Sequence, residues 1–342
     1  MNPNTSHPLQ RYWDLTAAPI QAAALDTALE LGLLDRLIEP ASAADVAHAL
    51  ALRPEQTAHL LDMLWSLDLL HRIDGDPVQY LCQPEARKHF CPGQPDYCGD
   101  AWRYRRRSLT HFSEQMGDQL RADGPPIEPY VQTNATGWAQ AARVQIAQEQ
   151  RAIAVAAAEH AIACVPGAAH ARRILDLGGG PGLIGISLVQ RWPDATGVVF
   201  DWPETAAVAQ ENIIAAGLSE RMTVIGGDLA ADPIGQGYDL IWCSSVLHFL
   251  PDAPAALRKM HDALAPGGQL VMVHAEVPAD AHAAARVLPY YLPMMLLGRR
   301  VTRAGELHQA LVDGGYTDVR GFDSDRFPLA PVHVLTASKA QA

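Results

Sequence analysis

The run Asp176-Leu177-Gly178-Gly179-Gly180-Pro181-Gly182 closes one apolar stretch and opens a helical one at Leu183. Glycines let a backbone approach a ligand closely, and proline suits a first helical turn, where its missing N–H costs nothing. A strand, loop and helix of this kind predict a nucleotide-like ligand lying across the loop. Asp201 ends the next apolar run, 21 residues beyond Gly180, where one carboxylate can accept from both hydroxyls of a ribose. Gly227-Asp228 closes a third run and offers a second carboxylate to an adenine amino group. Position 183 is Leu, so the third glycine of GxGxxG, which serves the tight packing around a pyrophosphate, is absent. A ligand without pyrophosphate fits better, which weakens the reading as a nicotinamide dehydrogenase. Asp176 and Asp228 also have purely local uses, one bonding the loop backbone and the other capping a turn. His248 follows a fourth apolar run, at the kind of strand end where such sheets bind ligands, and is the natural proton acceptor.

The elements that must hold these residues read as two grammars. In the first, Leu25, Leu29, Leu33 and Leu37 recur every fourth position and predict a helix over 20–38. Ser42 and Asp45 form a capping-box pattern, Pro54 starts another helix, and 70–73 and 78–82 flank an Asp74-Gly75 turn. Three helices and a hairpin predict a winged-helix module over 1–99. Residues 100–165 read as a helical connector contributing to an acceptor pocket, broken at 124–126 and 134–137. From 166 to 342 apolar runs at 174–177, 198–200, 222–225, 240–243 and 270–273 alternate with helical segments, which predicts a parallel sheet with helices on both faces. Two late strands at 316–322 and 332–337 bring the total to seven.

Composition excludes several function classes. The 342 residues carry 26 Lys and Arg against 38 Asp and Glu, a formal charge of -12, so no broad basic field is available for nucleic acid. The third helix of the module bears Asp62 and Asp68, with Arg53 only at its start, which argues against a ligand-sensing DNA-binding regulator. The five cysteines show no CxxC spacing and read as reduced thiols, and no metal site is expected. No apolar run reaches membrane-spanning length, and residues 1–13 lack the pattern of a signal peptide, so a cytoplasmic protein without membrane partners is expected.

With these motifs in view, residues 171–280 resemble a class I S-adenosylmethionine-dependent methyltransferase. The whole chain is similar to bacterial and plant small-molecule O-methyltransferases that carry an amino-terminal dimerisation domain. The stretches that bear the resemblance are LGLLDRL, DLGGGPG, FDWPE, GGDL, SSVLHFLPD, LAPGG and GRRVT. It implies an α/β Rossmann-like, seven-stranded methyltransferase domain preceded by the winged-helix dimerisation domain, a homodimer, and S-adenosyl-L-methionine as cofactor. Gly178 and Gly180 then contact its methionine part, Asp201 the ribose and Asp228 the adenine, with Asp176, Trp202, Gly227, Leu229, Cys243 and Ser244 completing the cofactor set.

A sulfonium methyl is already activated, so the protein must align the acceptor and, for a hydroxyl, manage one proton. The resemblance assigns that proton to His248, in a family pattern His-Asp-Trp that here reads His248-Phe249-Leu250. Two acids that orient this histidine in the family fall approximately at His274 and Arg300, and both are changed. Glu276, on the same strand face as His274 if the strand extends that far, is the replacement candidate. Phe112, Trp138, Tyr290, Tyr291, Met294 and Met295 are the expected wall for a flat, aromatic or polyketide-like small-molecule acceptor. Methylation at oxygen is the leading expectation. N- or C-methylation, or cofactor binding with non-methylating chemistry, are the alternatives.

Overall fold

The computed structural model describes residues 7–130, 134–329 and 331–341. The chain divides into a unit ending at Arg106 and a unit beginning at Arg107.

In the first unit α1 (Gln10–Leu31) ends at Gly32, whose left-handed backbone lets its N–H reach the Ala28 and Leu29 carbonyls. The periodic leucines therefore do not lie on one helix. Leu34–Leu37 forms a separate 3-10 turn, which buries Leu33, Leu34 and Leu37 completely. β1 (Ala41–Ser42) leads into α2 (Ala43–Leu50) through the Ser42 and Asp45 capping box. α3 (Pro54–Ser66) is followed by β2 (Leu70–Ile73) and β3 (Gln79–Cys82), which pair as a hairpin in a sheet of order β1-β3-β2. Leu61 and Leu64 of α3 seal this winged-helix core against Ala28. α4 (Pro84–Phe90) precedes α5 (Gly99–Gln119). Two arginines of α5 are neutralised within the unit: Arg103 donates to Asp26 at 2.9 Å and Glu30 at 2.7 Å, and Arg106 to Asp26 at 2.7 Å.

In the second unit α6 (Ala135–Ala141) starts at Asn134, whose Oδ1 accepts from Gly137 N. The helix continues through a π turn at Ala142–Ile146, α7 (Ala147–Glu149), a second π turn at Gln150–Ala154 and α8 (Val155–Ala163). Then come β4 (Arg173–Leu177), α9 (Leu183–Arg191), β5 (Thr196–Asp201), α10 (Pro203–Ala215), β6 (Met222–Gly226), β7 (Tyr238–Ser244), α11 (Ala253–Ala263) and β8 (Leu264–His274). α12 (Ala281–Leu296), α13 (Glu306–Asp313), β9 (Thr317–Ser324) and β10 (Val332–Ser338) complete the unit. The strands form one sheet of order β6-β5-β4-β7-β8-β10-β9, parallel from β6 to β8 and antiparallel on both sides of β10.

Alternate residues supply two cores, one per face. Ile174, Val199, Leu240 and Trp242 pack with α8 to α10, and Leu175, Leu177, Ile241 and Leu270 pack with α11 and α13. Because the chain adds β5 and β6 on one side of β4 and then crosses to add β7 and β8 on the other, the winding reverses beside the glycine loop, and a crevice opens at the carboxyl ends of these parallel strands. Among the described residues no helix is long and apolar enough to cross a membrane.

Candidate functional site

The glycine loop is held from three directions, and the donors it uses decide what it can bind. Gly178 sits at φ 66°, and a Cβ there would run into the Cγ2 methyl of Val246. Gly180 N donates to Asp201 Oδ2 at 2.9 Å, while Trp202 N donates to Asp201 Oδ1 at 2.8 Å. Gly185 N donates to Asp176 Oδ2 at 2.9 Å. From the second π turn, buried Gln150 accepts from Leu183 N at 3.1 Å and donates to the Gly179 carbonyl at 3.1 Å. A pyrophosphate site leaves the loop and first-turn N–H groups open to the anion. Here three of them are taken by two carboxylates and an amide, and an anion on the loop would meet Asp201. A ligand that brings hydroxyls and a positive charge suits this loop, since each carboxylate oxygen keeps further accepting capacity.

Burial raises the Asp201 carboxyl above the usual range and pushes Asp176 up to about 7. Asp176 is 2% exposed and braces the start of α9. Its folded value lies above the ordinary 3.8, so the native state binds this proton more tightly and loses stability as pH rises from about 4 to about 7. Asn at this position keeps the bond from Gly185 and does not titrate. Asp176→Asn is expected to be more stable than the native chain at pH 8, by on the order of 2–4 kcal/mol, and by less than half of that at pH 5. Urea unfolding at the two pH values checks this, and a difference independent of pH would contradict it.

The other cofactor candidates line the same edge. Asp201 ends β5 opposite Gly226 of β6, and Gly227 N donates to the Asp201 carbonyl at 2.9 Å, so the two acidic strand ends are neighbours. Asp228 accepts from Ala230 N at 2.9 Å, which realises its turn-capping use. Leu229 is buried among the residues packed on α11, and Trp202, next to Asp201, is 44% exposed. Cys243 is buried at the end of β7 next to Ser244, and burial pushes its thiol up to about 12, leaving it neutral.

Where the acceptor is expected, a 3-10 turn at Leu247–Phe249 carries His248, and β8 delivers His274. Both are almost fully buried, at 4% and 2% exposure, and their rings stack with centroids 4.9 Å apart and planes 14° from parallel. The Tyr291 ring meets His248 edge-on at 6.0 Å, and Trp138 meets Phe249 at 4.9 Å. Met294 packs against Tyr291, Ala275 and Val287. Arg299 donates to the Phe249 carbonyl at 3.1 Å. Burial, with His274 and Arg299 adding to it, holds His248 well below the ordinary imidazole range, and burial alone holds His274 at about 4.

The remaining expected members do not join this cluster of rings. β8 stops at His274, and Glu276 beyond it caps α13, accepting from Gly305 N at 3.3 Å and Leu307 N at 3.1 Å. The Phe112 ring packs on His111, and Tyr290 is 39% exposed. Met295 is half-buried on α12. Gln150, Phe249 and Arg299 escape sequence reasoning: in an Ala- and Gln-rich helix nothing distinguishes a buried clamp from a solvated glutamine.

Residues 129–317 match the family model of the O-methyltransferase domain, and residues 13–88 that of the O-methyltransferase dimerisation domain. The chain is 28% identical over 314 residues to 3-hydroxy-5-methyl-1-naphthoate 3-O-methyltransferase of Streptomyces sahachiroi, covering 90% of this chain and 89% of that one. It is 30% identical over 281 residues to the N,N-dimethyltransferase OxyT of Streptomyces rimosus, covering 75% and 76%. In fold it is similar to human N-acetylserotonin methyltransferase in complex with S-adenosylmethionine, with a TM-score of 0.78, 20% identity and full coverage of both chains. A glycine loop whose donors are turned to carboxylates, an acid at each of two strand ends and a matching domain over most of the second unit place the chain in the S-adenosylmethionine-dependent O-methyltransferase family.

Proposed function

We propose that the protein methylates a hydroxyl oxygen on a flat, aromatic or polyketide-like small molecule. The observation that carries this reading is the wall of rings beyond the ends of β7 and β8, where buried His248, His274 and Tyr291 and half-buried Phe249 and Trp138 pack face and edge within 4.2 to 6.0 Å. Planar apolar acceptors suit such a wall. Similarity to a naphthoate 3-O-methyltransferase supports the same acceptor class. The cofactor, held by the loop, Asp201 and Asp228, supplies an electrophilic methyl group. The chain's own residues orient the acceptor oxygen and exclude water from it. Incubation with S-adenosylmethionine and a panel of hydroxynaphthoates and hydroxylated tetracycles, read by mass spectrometry and NMR, is expected to give methyl ethers. Products methylated only at nitrogen would favour the second reading, which the similarity to an N,N-dimethyltransferase supports.

The amino-terminal unit is proposed to act as a homodimerisation module in the cytoplasm. Tyr12, Trp13, Leu15 and Ile20 of α1 are all more than half exposed, an apolar strip that a second copy would cover. Light scattering at micromolar concentration is expected to give twice the chain mass, and Trp13→Glu with Ile20→Asp to halve it. A native monomer would contradict the assignment.

A further inference from the structure

The histidine pair lacks what a general base needs. A base that takes the acceptor's proton becomes a cation, and His248 would carry that charge almost wholly out of water. Among the described residues, the charged and titratable groups that act on it carry no negative charge. The β8 neighbour is a second imidazole, stacked at 4.9 Å. After α12 comes the Arg299 guanidinium, which sits 5.8 Å over the Phe249 ring and bonds its carbonyl. From α12 itself Tyr291 presents a ring edge, and the adjoining face is Phe249. Among the described residues no carboxylate is hydrogen-bonded to either imidazole, and Glu276, the acid closest in sequence, is committed to the start of α13. His248 Nδ1 is buried without a partner. Unpaired buried charge of this kind is strongly disfavoured. A neutral imidazole, by contrast, can donate one N–H to an oxygen anion, and a nearby guanidinium favours that anion.

We propose that the acceptor is a hydroxyl acidified by an electron-withdrawing group conjugated through its own ring, that it binds already ionised, and that His248 stacked on His274 orients the oxyanion rather than deprotonating it. The proposal rests on the reading of oxygen methylation given above. The acceptor O–H loses its proton to bulk water before binding. In the transfer the oxygen–carbon bond forms as the sulfur–carbon bond breaks, so an oxyanion and a sulfonium become a neutral ether and a neutral thioether. No proton remains on the protein.

The test compares 2-naphthol with 6-cyano-2-naphthol, matched in shape and different in acidity, using the full chain and S-adenosylmethionine. Below each acceptor's own solution pKa, kcat/KM is expected to rise about tenfold per pH unit and then to level, so that the cyano compound breaks at the lower pH. His248→Gln is expected to keep both breaks and to lower kcat/KM by less than about tenfold, because no general base is removed. His274→Asp, checked for retained cofactor binding by calorimetry, brings a carboxylate to His248 and is expected to raise the 2-naphthol rate and to move its break below that compound's pKa. A break at one shared pH for both naphthols, with a loss of about 10²–10⁴ in His248→Gln, would overturn the proposal and leave oxygen methylation standing. Methylation of 2-naphthylamine with turnover of neither naphthol would overturn the oxygen reading and the proposal together.

Discussion

Asp201→Ala is expected to bind S-adenosylmethionine and S-adenosylhomocysteine at least about a hundredfold more weakly than the native chain. Hydrogen bonds to a charged group contribute about 1.5–3 kcal/mol each, and loss of two corresponds to about a hundredfold or more in affinity. The carboxylate also organises the site without ligand, since its two oxygens separately accept from Gly180 and Trp202. Alanine therefore removes both the proposed ribose acceptor and a brace of the loop. Asparagine is not a mild replacement here: its NH2 must face one of two backbone donors, so Asp201→Asn is expected to lie nearer to alanine than to the native chain. Isothermal calorimetry checks both. Native-like affinity in either variant would remove Asp201 from the cofactor site.

Gly178→Ala is expected to lower kcat/KM by about a hundredfold, with partial recovery when Val246→Ala is added. Two costs are superposed. At φ 66° an L side chain is strained by about 1–2 kcal/mol, and the added methyl meets Val246 two residues before His248. Relief of that clash moves either the loop or the turn that carries His248, and displacements of about 1 Å at such sites cost about a hundredfold in rate. Trimming Val246 removes the steric part and leaves the backbone part, so the double variant should stay below the native rate. An unimpaired single variant, or a double variant no better than the single, would contradict this account.

These residues differ in how far their sequence announces them. The central strands β4 and β7 are covered on both faces, so they read as nearly unbroken apolar runs, and 174–177 and 240–243 fall inside them. Gly178 and Gly180 are legible because positive φ selects glycine. Asp201 stands out as a carboxylate ending an apolar strand beside such a loop, and its two oxygens hold the Gly180 and Trp202 N–H groups there. The helix expected over 20–38 shows the opposite case: its four-residue period runs on through Gly32, where the backbone turns left-handed and the helix ends.

Gln150 is invisible for a related reason, because π turns at Ala142–Ile146 and Gln150–Ala154 rotate the helix face away from the regular period. The stacking of His248 on His274 joins residues from the ends of two strands, and no spacing along the chain encodes their 4.9 Å separation. Sequence reasoning puts Glu276 on the same strand face as His274, on a continued strand. The ladder stops at His274, and the free N–H groups of α13 take the carboxylate instead.

Calorimetric titration of the native chain with S-adenosylmethionine, S-adenosylhomocysteine and NADH tests the central claim most directly. The loop donors already turned to Asp201, Asp176 and Gln150 predict binding of both sulfur ligands and none of the pyrophosphate-bearing one. Binding of NADH with no heat from either sulfur ligand would contradict it.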